Sequence, residues 1–189
     1  MNSKKLLLHF TLILFSFIVL SCDSDNTDTP DNQTTTFMTA EINGVSYDNM
    51  KPFGYPSLQS ATEVYTLIGQ PGKFLRLEGN QTINNNNVTI ELFIEEQNWN
   101  VGTYDLIAGR NVNIDGSNSV TITISDGSNV LYSANDNGGI MKIDDFDLVN
   151  KRIKGTFSFP YNSEPTNGTP ENFEVTNGYF DFPLDDPEF

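Results

Sequence analysis

Ser119-Val-Thr-Ile-Thr-Ile-Ser125 alternates apolar and hydroxyl residues without an error, which places Val120, Ile122 and Ile124 on one side of an extended chain. A period of two belongs to a strand with one face buried and one in water. The same alternation occurs upstream, with Val88, Ile90, Leu92 and Ile94 on one side and Thr89, Glu91 and Glu95 on the other. Downstream, Ile153, Gly155, Phe157, Phe159 and Tyr161 form an inward row against Lys154, Thr156 and Ser158. Asn43-Gly44, between Phe37–Ile42 and Val45–Tyr47, is the dipeptide preferred in two-residue hairpins, because both central residues of a type I′ turn need positive φ. Further strands are predicted over 64–70, 74–79, 102–106, 130–133, 139–146 and 173–182. In the last of these the apolar phase slips from Phe173 and Val175 to Phe180 and Phe182, and Asn177-Gly178 reads as a bulge at the slip. Asn84-Asn85-Asn86-Asn87 reads as an exposed turn, and from Phe37 onward no helical stripe of useful length appears. The expected fold is all-β, a single antiparallel β-sandwich or flattened β-barrel of about ten short strands over residues 37–189.

Ahead of this domain, Lys4 and Lys5 precede an apolar run from Leu6 to Leu20 that is broken only by His9, Thr11 and Ser16. About 15 residues is shorter than the ~20 a spanning helix needs, so residues 1–21 read as a signal peptide. Val19-Leu20-Ser21-Cys22 resembles the lipobox of bacterial lipoproteins, whose cysteine is acylated and becomes the first residue of the mature chain. Cys22, the only cysteine, is therefore the expected lipidation site, carrying palmitate-like chains that anchor the protein to a membrane. Residues 23–36 hold four aspartates and no basic side chain, and are expected to form a disordered acidic tether. Fourteen residues at ~3.3 Å each reach up to ~45 Å. Acidic residues just after the cysteine resemble the export signal of Bacteroidota lipoproteins. That resemblance implies a place on the cell surface at the outer membrane, with periplasm-facing attachment as the alternative.

Phe37-Met-Thr-Ala-Glu-Ile-Asn-Gly-Val-Ser-Tyr47, Gly102-Thr-Tyr-Asp-Leu106, the stretch through Gly155-Thr-Phe-Ser-Phe159, and Val175-Thr-Asn-Gly-Tyr-Phe180 extend the resemblance over most of residues 37–182. They are similar to segments of small Bacteroidota lipoproteins of unknown function. The resemblance implies lipidation, an envelope location and an all-β domain, and it carries no catalytic residue with it.

Composition narrows the chemistry. The chain has 25 acidic and 10 basic side chains, one histidine and a formal net charge of −15. Removing residues 1–21 takes away two lysines and His9, leaving about −17 and no imidazole or free thiol. That excludes Ser-His-Asp and Cys-His catalysis and the usual zinc ligands. The charge also repels phosphate backbones and anionic headgroups, so neither a nucleic-acid partner nor direct electrostatic binding to a membrane is expected, and attachment would rest on the acyl chains. Glycoside cleavage by an acid pair is the enzymatic option left, with Glu91, Glu95, Glu96 and Asp105 near the sole tryptophan, Trp99. An enzyme is nevertheless not expected, since so acidic a chain offers such pairs by chance. Trp99, Tyr104 and Tyr55 are candidate ligand platforms, each with core packing as the competing reading. No cofactor is expected beyond calcium, whose candidate loops hold Asp136, Asp144 and Asp145 with Asp147, and Asp115 with Asp126. Asp185 and Asp186 read as a tail without a specific role. The expected function is a surface-tethered, non-enzymatic binding module for a glycan or protein ligand. The alternative is a structural or interaction lipoprotein of the outer membrane without a small-molecule site.

Overall fold

A computed structural model describes residues 37–57, 60–66, 72–108, 117–125, 130–131, 138–163 and 171–189. Eleven strands follow one another along these segments: β1 (Met38–Ile42), β2 (Val45–Met50), β3 (Thr62–Tyr65), β4 (Phe74–Ile83), β5 (Asn86–Glu95), β6 (Gly102–Ala108), β7 (Asn118–Ser125), β8 (Val130–Leu131), β9 (Gly139–Asp147), β10 (Arg152–Ser163) and β11 (Glu171–Pro183). A single 3₁₀ turn, Glu96–Asn98, follows β5. Among the described residues no helix is long and apolar enough to cross a membrane.

All eleven strands join one sheet in the order β2-β1-β11-β10-β9-β6-β7-β5-β4-β3, with β8 paired to β7 off that path. The all-β fold is thus the one expected, with a correction to its uniform antiparallelism. β6 and β7 run parallel, Leu106 opposite Asn118 and Ala108 opposite Val120. Nine residues separate these two strands, where a tight hairpin would have forced the opposite direction. The sheet curls on itself without closing by a continuous ladder. At the seam Lys51, just past β2, exchanges two backbone hydrogen bonds with Asn80 of β4 (3.0 and 2.7 Å). Gly79 permits that approach, since a Cβ there would sit 2.6 Å from Met38 Sδ and 2.9 Å from Met38 Cβ.

The alternation read from the sequence lines one core. Val88, Ile90, Leu92 and Ile94 are fully buried, as are Met141, Ile143, Ile153, Phe180 and Phe182, and Phe157, Phe159 and Tyr161 join them in one cluster. Burying each such side chain contributes about 1.5–3 kcal/mol. Glu95 departs from its expected outward place. It is 6 % exposed, with Gln97 donating to its carboxylate at 2.9 Å.

Turns follow their residues. Asn43 and Gly44 take φ of 52° and 76°, and Asn84 and Asn85 take 51° and 67°, so each of these two hairpins turns on a pair of left-handed residues. The bulge in β11 is where the phase slips: Phe157 faces Gly178 while Phe159 faces Val175, which leaves one extra residue on β11, and Asn177 has φ of 50°. The tail beyond β11 is not idle. Asp185 accepts hydrogen bonds from the Ala61 and Thr62 backbone and from the Ser60 and Thr62 hydroxyls, and Asp186 accepts one from Val64 N. Edge strand β3 is therefore held by β4 on one side and by two tail carboxylates on the other.

Candidate functional site

Trp99 follows the 3₁₀ turn and is half-buried. Its indole Nε1 donates to Ile94 O at 2.9 Å, and its ring lies 6.3 Å from Phe146 and 5.1 Å from Phe189. It covers the end of the core and offers no free donor. Tyr104, on β6, is also half-buried; its hydroxyl bonds Asn100 Oδ1 at 2.7 Å and the Asn100 carbonyl at 3.0 Å, and burial pushes the phenol pKa up. Tyr55, in the loop between β2 and β3, is 38 % exposed and packs edge-on to Phe37 at 4.7 Å. The three aromatics thus do not form one platform. Tyr55 belongs to the Phe37–Phe182 cluster, and Trp99 to the Phe146–Phe189 cluster.

The acidic candidates are likewise dispersed. Asp144 pairs with Lys142, and Asp145 stands across from Lys154 in the β9–β10 ladder. Asp147 shapes the turn after β9, accepting from Val149 N (2.8 Å), Asn150 N (2.9 Å) and Asn150 Nδ2 (2.6 Å). The Asn150 backbone and side-chain bonds are the main reason its carboxyl titrates below the usual range. Among the described residues no group of three or more potential ligands could hold a metal ion. Asp115, Asp126 and Asp136 lie outside the described residues, as does Cys22. The acids near Trp99 do not converge either: Glu91 bonds Arg76 and Thr121, and Glu95 bonds Gln97.

Among the described residues two further surface features bear on function. The first is a cleft of about 460 Å³ beneath the β2–β3 loop, walled by Pro52, Phe53, Thr62, Glu63, Arg76 and Glu78. Its polar groups are committed to one another. Arg76 forms ion pairs with Glu63, Glu78 and Glu91; burial works against its charge, but Glu78 and Glu91 outweigh it and raise the guanidinium pKa. Glu78 also accepts from Phe53 N at 2.8 Å.

The second is a trough on the water-facing side of β9, β10 and β11. Hollows of about 610, 300 and 580 Å³ adjoin through shared residues, Ile140, Ser158 and Thr176 between the first pair and Pro160, Glu174 and Thr176 between the second. The trough follows β11 from Asn172 to Tyr179, about 20 Å at the strand rise. Thr156, Ser158 and Thr176 supply a hydroxyl floor, and Ile140 (54 % exposed) and Tyr179 (37 %) supply apolar surface. Tyr179 is held in place by its hydroxyl, which donates to Asp181 Oδ2 at 3.0 Å; Asp181 is in turn paired with Arg152. Burial raises the Tyr179 phenol pKa, and the bond to Asp181 raises it further. The sequence places Thr156 and Ser158 on an outward face and a bulge at Asn177-Gly178, but marks none of the trough residues as a binding candidate, although Ile140 carries a readable signal as an apolar residue out of phase with Met141 and Ile143. Compared with protein-family models, with curated proteins and with solved structures, the chain matches none of them.

Proposed function

We propose that the protein is a lipid-anchored envelope protein of the Bacteroidota lipoprotein type, whose β domain is a non-enzymatic binding module for a glycan or protein ligand. The anchoring part of this reading is supported by Lys4-Lys5, the apolar run and Val19-Leu20-Ser21-Cys22. The binding part is carried by the trough over β9–β11. It is long and open, Lys142 and Glu174 stand along it, and it sets the hydroxyls of Thr156, Ser158 and Thr176 beside the half-exposed ring of Tyr179. An extended chain bearing hydroxyls or amides, laid along β11, finds hydrogen-bond partners in Thr156, Ser158 and Thr176 and an apolar rest on Tyr179 and Ile140. The absence of imidazole and thiol after residue 22, together with the internal pairing of Glu91 and Glu95, favours binding without catalysis.

The test is thermal unfolding in the presence of a panel of oligosaccharides and polysaccharides, with calcium and with chelator. A ligand at 100 times its dissociation constant adds about 2.7 kcal/mol. The expected result is a raised melting temperature with a glycan, lost in Ser158→Arg, which fills the floor, and weakened in Tyr179→Ala. Shifts that persist unchanged in both variants place the ligand elsewhere and overturn the trough as its site.

A further inference from the structure

One row of paired residues, Met38, Phe180, Gly155, Ile143 and Gly102, crosses five adjacent strands, β1, β11, β10, β9 and β6. Beyond that row, on the same end of the sheet, lie Phe37, where the described chain enters β1, the residue Val101 just ahead of β6, and the β9–β10 turn. That end carries apolar side chains that have no work inside the fold. Val149 is 91 % exposed, Val101 61 % and Leu148 59 %. The turn does not need them, because Asp147 builds it through the Val149 and Asn150 amides and Lys151 completes it with φ of 51°. Residues at such a tip are ordinarily polar.

Charge adds a second observation. Of the eight basic residues that follow Cys22, three, Lys151, Arg152 and Lys154, come directly after this tip. They are matched by three acids just before the tip, Asp144, Asp145 and Asp147, with Arg152 paired to Asp181 and Lys154 across from Asp145, so the tip is close to neutral within a strongly acidic chain. An apolar, near-neutral tip suits the headgroup boundary of a zwitterionic bilayer, where its aliphatic groups leave water. The tether provides a third. Fourteen residues separate Cys22 from Phe37, and the chain enters the domain at this same end. An acylated Cys22 holds the tip at high effective concentration near the bilayer, so a weak contact suffices.

We infer that the chain-entry end of the domain rests on a phospholipid surface, with Leu148, Val149 and Val101 in the headgroup boundary and the far end of the trough directed away from the membrane. This rests on the lipid-anchored reading above. The test uses the acylated full chain reconstituted in phosphatidylcholine vesicles with and without brominated phosphatidylcholine. Val149→Trp at the tip is compared with Val45→Trp at the opposite hairpin, the Trp99 emission of the parent being subtracted. The expected result is about a twofold loss of emission for the indole at position 149 and almost none at position 45. Equal quenching at the two positions, in protein that floats with the vesicles, overturns the inference and leaves the anchor standing. Protein that neither floats nor carries acyl mass on Cys22 overturns both.

Discussion

Replacing Asp185 by alanine removes a carboxylate that accepts from Ala61 N at 2.9 Å, Thr62 N at 3.1 Å, Thr62 Oγ1 at 3.0 Å and Ser60 Oγ at 2.7 Å. The hydroxyls can turn to water, but the two amides belong to Ala61, 7 % exposed, and Thr62, 2 % exposed. A hydrogen bond to a charged group contributes about 1.5–3 kcal/mol net. Asp185 itself is exposed, so each of the two amide bonds belongs at or below the lower end, and the total cost is about 2–3 kcal/mol. Asp185→Asn keeps an acceptor oxygen and should cost roughly half as much. Urea unfolding followed by the emission of Trp99 reads this well, because Trp99 touches Phe189 of the same tail. With an m-value of about 2 kcal/mol/M, the midpoint falls by about 1–1.5 M for alanine at unchanged m. The pH dependence has a defined sign. Burial opposes the charge of Asp185, but the bonds from Ala61, Ser60 and Thr62 outweigh it and hold the carboxyl below its usual range. A depressed folded pKa gives stability that is full above the unfolded value, about 3.9, and is lost as pH falls through the folded one. The gap between wild type and Asp185→Ala should therefore be constant from pH 7 to about 5 and narrow below about 4. A midpoint shift under about 0.3 M, or a gap that widens in acid, refutes the clasp.

Arg76→Met leaves the carboxylates of Glu78 and Glu91, 10 % and 15 % exposed, without their shared cation, and should cost about 3 kcal/mol by urea titration. Gly79→Ala puts a methyl against Met38 at the Lys51–Asn80 seam; a loss of about 1–3 kcal/mol is expected, and an unchanged melting temperature would mean that the seam is slack. Cys22→Ala should move the protein from the membrane to the soluble fraction on cell fractionation, and full retention in membranes defeats the lipid anchor.

Much of the fold is legible because its strands are half-buried. Each alternating run, such as Val88 to Ile94, reports a face, and each Asn-Gly or Asn-Asn pair reports a turn whose backbone only those residues adopt cheaply. Strand order is not written in alternation. Nothing in Gly102–Ala108 or Asn118–Ser125 says that they lie side by side and parallel, since that pairing depends on how the nine residues between them return the chain. The clasp by Asp185 and Asp186 was hidden for a related reason: its partners lie more than 120 residues away in sequence. A carboxylate in a polar tail looks solvated until the strand edge it meets is known. Glu95 misled through alternation itself, because β5 is covered on both faces near its end, where Leu92, Phe93, Ile94 and Glu95 are all buried.

The candidate trough was illegible for a different physical reason, which Tyr179 makes plain. Aromatic residues chosen by type alone led to Trp99 and Tyr104, whose polar atoms are already bonded inside the protein. What decides whether an aromatic can meet a ligand is its phase on the strand. Counting by twos from buried Val175 puts Tyr179 in the core and Phe180 in water. The single residue inserted at Asn177 reverses both, so that Phe180 is fully buried and Tyr179 faces out beside Thr156 and Ile140. The phase slip visible between Val175 and Phe180 is thus the event that builds one wall of the trough. Filling a gap in the ladder would have needed only a regular strand. A bulge held by an asparagine at positive φ, whose amide bonds Glu41 at 3.0 Å, re-aims one aromatic onto an otherwise plain Thr/Ser face.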